Sequence, residues 1–222
     1  MPKTFNIASL VPASAAVTEI VDCAAGTLLP EEEAALGNVA DKRRSDFTAG
    51  RECARLALRK LGMGTVPILS GPAKQPIWPQ DVCGSITHCQ GYSAAVVARQ
   101  ADIRGIGIDA EYRRKLGDGV LERISLPAER TWIDGATALL PWELLLFSAK
   151  ESVFKVWSPL VGTWLGFRHA RIEFDMAAHA FRAFVLPDAP GAGSDTPREL
   201  GGRFCVSGRH VLTSAFILAT LG

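Results

Sequence analysis

The stretch Gly105-Ile106-Gly107-Ile108-Asp109-Ala110-Glu111 places the tightest limit on how this chain can fold. Side chains alternate across a β-strand, so Ile106, Ile108 and Ala110 share one face and point into a core. Gly105, Gly107, Asp109 and Glu111 occupy the other face. Two carboxylates two residues apart on a strand lie about 7 Å from each other at the backbone, near enough to converge on one divalent cation. The bare glycines beside them are expected to leave room for a ligand. Hard cations such as Mg²⁺ take oxygen ligands, few from protein and the rest from water and phosphate. The same pattern also describes a strand whose exposed face is acidic and whose glycines mark a bulge. Spacing alone leaves both readings open.

Two long helical patterns flank this strand. From Asp41 to Leu61, the apolar residues Phe47, Ala54, Ala57, Leu58 and Leu61 recur at helical spacing, with Asp41 placed to cap the start and Gly62 to end it. Arg44, Arg51, Arg55 and Arg59 share one face of that helix, either as a solvated surface or as a clamp for phosphate. The second helix spans Pro141 to Trp157 and buries Trp142, Leu145, Leu146, Ala149, Val153 and Val156. It contains Phe147-Ser148-Ala149-Lys150-Glu151-Ser152-Val153-Phe154-Lys155, which puts Glu151 and Lys155 one turn apart on the opposite face. As a surface ion pair they would contribute only about 0.2–0.5 kcal/mol. As chemistry, the carboxylate could take a proton or bind a metal while the amine neutralises phosphate charge.

Short strands are expected at Ser85 to His88 and Ser93 to Ala98, joined by a turn at Gly91, and the metal-strand candidate runs from Ile103 to Glu111. A short helix starts at Pro127 to Arg130. After Pro159 come strands at Ala170 to Phe174, Phe181 to Leu186, Phe204 to Val206 and Val211 to Ala219, with a surface loop from Pro187 to Pro197. Residues 62–83 read as loop, and residues 1–40 as mixed, with a helix start at Leu29-Pro30-Glu31-Glu32-Glu33. Each half thus offers one long helix and several strands. That predicts an α+β protein of two lobes meeting near residue 105.

At 222 residues, 48% hydrophobic and 21% charged, the chain is globular rather than disordered. Lys+Arg at 24 against Asp+Glu at 23 gives +1, so no whole-molecule field serves nucleic acid or an anionic membrane. Any anion site must be local. Cys23, Cys53, Cys83, Cys89 and Cys205 are dispersed and odd in number, which predicts reduced thiols in a cytoplasmic protein and not a disulfide framework or zinc ribbon. No secretory signal pattern is visible, and Val211 to Leu221 is short of the roughly 20 residues a membrane helix needs. The P-loop, dinucleotide, zinc-protease and nucleophile-elbow signatures are all missing. Gly84-Ser85-Ile86-Thr87-His88 ends a strand on a histidine, which is either a hydrogen-bonded structural group or a phosphate donor together with the Thr87 hydroxyl.

In order along the chain stand Arg43-Arg44-Ser45-Asp46-Phe47 with Arg51, Pro76-Ile77-Trp78-Pro79, Gly84-Ser85-Ile86-Thr87-His88, Gly107-Ile108-Asp109-Ala110-Glu111 and the Phe147 to Lys155 block. Together they resemble the 4′-phosphopantetheinyl transferases of the Sfp type, in the subgroup of the enterobactin-synthesis and actinobacterial enzymes. The resemblance covers about Lys42 to Phe167. It implies a monomer of two similar α+β lobes with pseudo-twofold symmetry, residues 1–105 and 106–222, and coenzyme A in the cleft between them. It implies transfer of the coenzyme's 4′-phosphopantetheine arm to a serine of apo acyl or peptidyl carrier proteins of fatty-acid, polyketide or peptide synthases. Mg²⁺ is the implied cofactor, with Mn²⁺ as an alternative, and adenosine 3′,5′-bisphosphate the by-product.

Residue by residue, the resemblance makes Asp109, Glu111 and Glu151 metal ligands, with the main chain or a water at Ala110 beside them. Glu151 is the implied base for the serine proton, and Lys155 lies at the pyrophosphate. Arg43 and Arg51 match adenosine-side phosphate contacts, Thr87 and His88 the grip on the 3′-phosphate and ribose, and Lys74 stands for a family lysine in the loop before Pro76. The competing readings are a metal-dependent coenzyme A or nucleotide phosphohydrolase and a non-catalytic coenzyme A-binding module. The basic Arg113-Arg114-Lys115 and the apolar residues Leu116, Val120, Leu121 and Ile124 suggest a carrier-docking surface over 112–126.

Overall fold

A computed structural model describes residues 6–22 and 26–219, so Cys23 and the last residues of the apolar tail, Thr220 and Leu221, lie outside the described residues. Its strands are β1 (Ala16–Val21), β2 (Val82–Cys89), β3 (Tyr92–Arg99), β4 (Ile103–Tyr112), β5 (Ala170–Asp175), β6 (Ala180–Val185), β7 (Glu199–Ser207) and β8 (His210–Leu218). The helices are α1 (Pro30–Leu36), α2 (Asp41–Lys60), α3 (Val120–Ile124), α4 (Pro127–Gly135) and α5 (Trp142–Val161).

Two twenty-residue helices each lie on an antiparallel sheet. The first sheet has the order β1-β3-β2 and the second β4-β8-β7-β6-β5. Helix α2 buries Cys53, Ala54, Ala57 and Leu58 against Ala95 and Val97 of β3. Helix α5 buries Leu145, Ala149, Val153 and Val156 against the second sheet. Strand β3 is buried on both faces, because its alternate residues Ala94, Val96 and Ala98 join a central core with Ile106, Ile108 and Ala110 of β4. The predicted inward set of β4 is therefore the observed one.

The two sheets are stitched where β2 meets β4. Ile108 N–H donates to Ser85 Oγ at 3.1 Å and Ala110 N–H to Thr87 Oγ1 at 3.0 Å. An edge strand left with unpaired backbone groups is costly when buried, and these two hydroxyls satisfy it. Helix α2 starts at Asp41 itself, with Ala40 at the cap position and no side-chain cap. It ends before Gly62, whose φ of +80° needs a glycine. Helix α5 runs past Trp157 to Val161 and closes on Gly162 at φ +76°. Cys53, Cys83, Cys89 and Cys205 are free thiols. No helix among the described residues is long and apolar enough to cross a membrane.

Candidate active site

Strand β4 and helix α5 approach so closely that a Cβ on Gly107 would sit 2.1 Å from the Ser152 carbonyl oxygen. A Cβ on Gly105 would meet Val156 Cγ1 at 3.0 Å. The space beside Gly107 is thus occupied by the helix, so the expected room for a ligand does not exist there, while Gly105 borders a cavity of about 420 Å³ that Lys155 and Val156 also line. The close approach has a consequence for Asp109, the next residue on that face, which is only 5% exposed. Its Oδ1 accepts from Lys155 Nζ at 2.8 Å and its Oδ2 from Ser148 Oγ at 2.8 Å. Lys155 also donates to the Ile108 carbonyl at 2.9 Å. Behind Ser148 lies Thr213, within 2.9 Å of the Ser148 hydroxyl and 2.6 Å of that of Ser152. One carboxylate is therefore held on both oxygens by two turns of the same helix.

Glu111 and Glu151 are half-buried, each within electrostatic reach of Asp109 and Lys155. Burial, then the neighbouring charges of Asp109 and Glu151, push Glu111 up to about 7, against the opposing pull of Arg114 and Lys155. Burial also raises Glu151; Lys155 opposes that and Asp109 adds to it. The three carboxylates feel one another, which is the electrostatic signature of a site built for positive charge. Among the described residues no three His, Cys, Asp or Glu side chains are already gathered as a metal cage. The donor set nevertheless suits a hard cation, being all carboxylate oxygen with a shared excess of negative charge.

A groove runs from Lys155 to the start of α2. One cavity of about 190 Å³ is lined by Lys74, Pro76, Ile86, Phe154, Lys155 and Ser158. It shares Lys74, Pro76 and Ile86 with a second cavity of about 140 Å³, lined also by Arg43, Asp46, Arg51 and His88. Arg51 lies over the Phe47 ring at 4.2 Å and donates to Ser70 Oγ at 2.9 Å, while its Nε is buried with no partner. Burial pushes Arg51 down to about 10, with the repulsion of Arg43 and Arg55 adding to the shift and Glu32 opposing it. A cation so placed is short of negative charge, and an anionic ligand would supply it. His88 is held below the ordinary imidazole range by desolvation, and the positive charges of Lys155, Arg43 and Lys42 add to that, against Asp46. Asp46 Oδ2 lies 3.9 Å from His88 Nδ1. Lys74 enters the groove from the left-handed backbone region, at φ +62°.

The structure separates the predicted residues. Asp109, Glu111, Glu151 and Lys155 come together, as do Arg43, Arg51, Lys74 and His88. Thr87 is buried at the seam between the sheets, where its hydroxyl accepts the Ala110 N–H and keeps its own O–H to donate. The Ala110 side chain faces the central core and leaves only main chain to the site. The arginine face of α2 is not a phosphate clamp: Arg44 pairs with Glu33 of α1, Arg55 with Glu32 and Glu52, and Arg59 donates to Thr65. Only Arg51 of that set faces the groove. Of the apolar residues in the suggested docking stretch, Ile124 is buried, Leu116 and Leu121 pack half-buried on the core beside α5, and Val120 is half-buried. Arg113, Arg114 and Lys115 remain exposed, on the rim of a cavity of about 680 Å³ that Leu140, Pro141 and Trp142 also line.

Sequence alone missed Ser148, Ser70 and Asp46 as partners of site residues. It also missed Trp164, which is 66% exposed and lies 4.4 Å from the Phe154 ring at the groove wall. Phe147 to Lys155 carried a hint of this, since two of its aromatic residues fall outside the buried stripe.

Residues 31–98 match the family described as the 4′-phosphopantetheinyl transferase N-terminal domain, and residues 105–195 match the 4′-phosphopantetheinyl transferase superfamily. The chain is 43% identical to the 4′-phosphopantetheinyl transferase Svp of Streptomyces mobaraensis, over 97% of this chain and 91% of that protein. It is 40% identical to the 4′-phosphopantetheinyl transferase PptT of Mycobacterium tuberculosis, over 94% of this chain and 96% of that one. Enterobactin synthase component D of Escherichia coli K12 is 40% identical over 55% of this chain and 58% of its own length. Two matched segments covering most of the chain, and relatives of 40% and 43% identity along nearly its whole length, show that the chain belongs to the 4′-phosphopantetheinyl transferase superfamily.

Proposed function

We propose that this enzyme moves the 4′-phosphopantetheine arm of coenzyme A to a serine hydroxyl of acyl and peptidyl carrier proteins, with Glu151 as base and Lys155 at the diphosphate. The observation that carries the assignment is the junction of Lys155, Asp109 and Glu151 at one end of a groove whose other end is lined by Arg43, Arg51, Lys74 and His88. Coenzyme A is an elongated polyanion, and this groove has cations at both ends and apolar walls between them. The adenosine-side phosphates belong with Arg43, Arg51, Lys74 and His88, where the unpartnered Arg51 Nε gains an acceptor. The apolar part of the arm belongs along Phe154 and Trp164.

In the reaction the serine oxygen forms a bond to the phosphorus bearing the pantetheine arm, and the bond from that phosphorus to the adenosine bisphosphate oxygen breaks. Glu151 takes the serine proton, directly or through a water. Burial raises its proton affinity and makes it a stronger base than a solvated carboxylate. Lys155, fixed by Asp109 and the Ile108 carbonyl, opposes the charge that develops on the diphosphate. Asp109, Glu111 and Glu151 would hold Mg²⁺, or Mn²⁺ in its place, with the main chain at Ala110 beside it; when bound there the ion neutralises diphosphate charge and eases proton loss from serine. Each Asp109 oxygen accepts one protein donor and keeps a second lone pair that could serve the cation.

The carrier, generally an acidic helical bundle, docks on the exposed cations Arg113, Arg114 and Lys115 and the groove they share with Leu140. The enzyme acts as a cytoplasmic monomer whose lobes are residues 1–105 and 106–222. Release of adenosine 3′,5′-bisphosphate from coenzyme A and Mg²⁺ tests the reading. Release that requires an apo-carrier supports it, and release at the same rate without carrier identifies a phosphohydrolase instead.

A further inference from the structure

Glu129 and Lys150 take no part in that reaction, yet they are only 5% and 3% exposed. The Lys150 ammonium donates to Glu129 Oε2 at 2.7 Å, the Ile124 carbonyl at 2.8 Å and the Phe167 carbonyl at 2.9 Å. Glu129 also accepts the N–H groups of Leu126, on Oε2 at 2.7 Å, and Ile172, on Oε1 at 2.8 Å. One buried pair therefore ties α5 to α3, α4, β5 and the turn at Phe167. The next residue on α5 is Glu151.

The other half of the chain builds the same clasp. Glu32 is 0% exposed and accepts the N–H groups of Leu29, on Oε2 at 3.0 Å, and Ile68, on Oε1 at 2.8 Å. Its Oε2 also pairs with the buried Arg55 of α2. Leu29-Pro30-Glu31-Glu32 and Leu126-Pro127-Ala128-Glu129 even share their first, second and fourth residues. The two clasps differ in what stands beside them: Arg55 is followed by Leu56, and Lys150 by the proposed base.

A buried ion pair is weak evidence for stability, because desolvation offsets most of the attraction. Its five hydrogen bonds do fix position, and they fix it within one residue of the carboxylate. We propose that the Glu129–Lys150 clasp is the positioning device that sets Glu151 at the reacting centre, an inference that rests on Glu151 being the base. Mispositioning of about 1 Å at a reacting group costs about 10²-fold in rate.

The test compares the twin clasps in the full chain. Lys150→Met should lower kcat about 10²-fold per folded molecule, with the KM for coenzyme A within about three-fold of wild type. Arg55→Met should lower the melting temperature to a similar extent and keep kcat within about three-fold, because no reacting group neighbours it. If Lys150→Met does not fold, Glu129→Gln carries the test, since it leaves the ammonium on its two carbonyls; it should lose about ten-fold in kcat. Wild-type kcat in folded Lys150→Met or in Glu129→Gln, or an equal kcat loss in Arg55→Met, overturns the proposal. A wild-type protein that transfers nothing overturns the underlying reading and this one with it.

Discussion

Replacing Gly107 with alanine should separate the helix from the strand on which the site is built. The added Cβ would lie 2.1 Å from the Ser152 carbonyl oxygen and 3.1 Å from Lys155 Cβ, where ordinary contact begins at 3.4 Å. The obstacle is backbone, so relief requires α5 to retreat by about 1 Å. Overpacking of this kind costs about 1–3 kcal/mol, and a rigid obstacle puts it near the upper end. At about 2–4 °C per kcal/mol for a chain of this size, the melting temperature should fall by about 6–12 °C. Because α5 carries Glu151 and Lys155, kcat should fall about 10²-fold even in the folded fraction. Gly105→Ala is the control: it meets only Val156 Cγ1, at 3.0 Å, and a side chain can yield. Thermal melting and steady-state kinetics read both variants. If Gly107→Ala melted like wild type and only raised the KM for coenzyme A, the glycine would be making room for a ligand, and the packing argument would be refuted.

Asp109→Ala and Glu151→Ala should each lose at least about two orders of magnitude in kcat, while calorimetric binding of coenzyme A without metal changes less. For Glu111 the folded protein holds its proton more tightly than the unfolded chain, up to about 7 against an ordinary 4.5. Its unfavourable contribution is therefore absent below pH 4.5 and grows as pH rises to about 7, so the metal-free protein loses stability across that window. Glu111→Gln should flatten that loss, gaining melting temperature over wild type at pH 8 but not at pH 4.5; parallel pH profiles would contradict the assignment. Reversing the charge of Arg113 and Arg114 should raise the KM for carrier and leave that for coenzyme A unchanged. Equal constants across fatty-acid, polyketide and peptide-synthetase carriers would place docking elsewhere.

What the sequence disclosed depended on how far apart the interacting residues lie along it. Strand β4 was legible because Ile106, Ile108 and Ala110 alternate with residues of another kind, and period-two alternation is a local property. The purpose of its glycines was not legible, since an absent side chain looks the same whether a ligand or a helix fills the space. Strand β1 was missed because Ala16–Val21 has no clean alternation and buries only Thr18; pairing with β3 defines it. The arginine face of α2 stayed open between solvated surface and phosphate clamp for the same reason. Arg44 and Arg55 find acids 11 and 23 residues away on α1, which helical spacing within α2 cannot reveal, whereas Glu52, the second partner of Arg55, lies within that spacing. Ser148 and Lys150 stood in plain view inside the helix motif, but their partners Asp109 and Glu129 lie 39 and 21 residues away. The acidic residues and Lys155 were found from motif order, and the fold then explained why they meet.

Transfer to a carrier serine is read from the intact mass of an apo-carrier protein after incubation with this enzyme, coenzyme A and Mg²⁺. The carrier should gain one phosphopantetheinyl group on a single serine, a gain absent when that serine is replaced by alanine and strongly slowed with Glu151→Ala. Unchanged mass on acyl, aryl and peptidyl carriers alike, from a folded enzyme that binds coenzyme A, would contradict it.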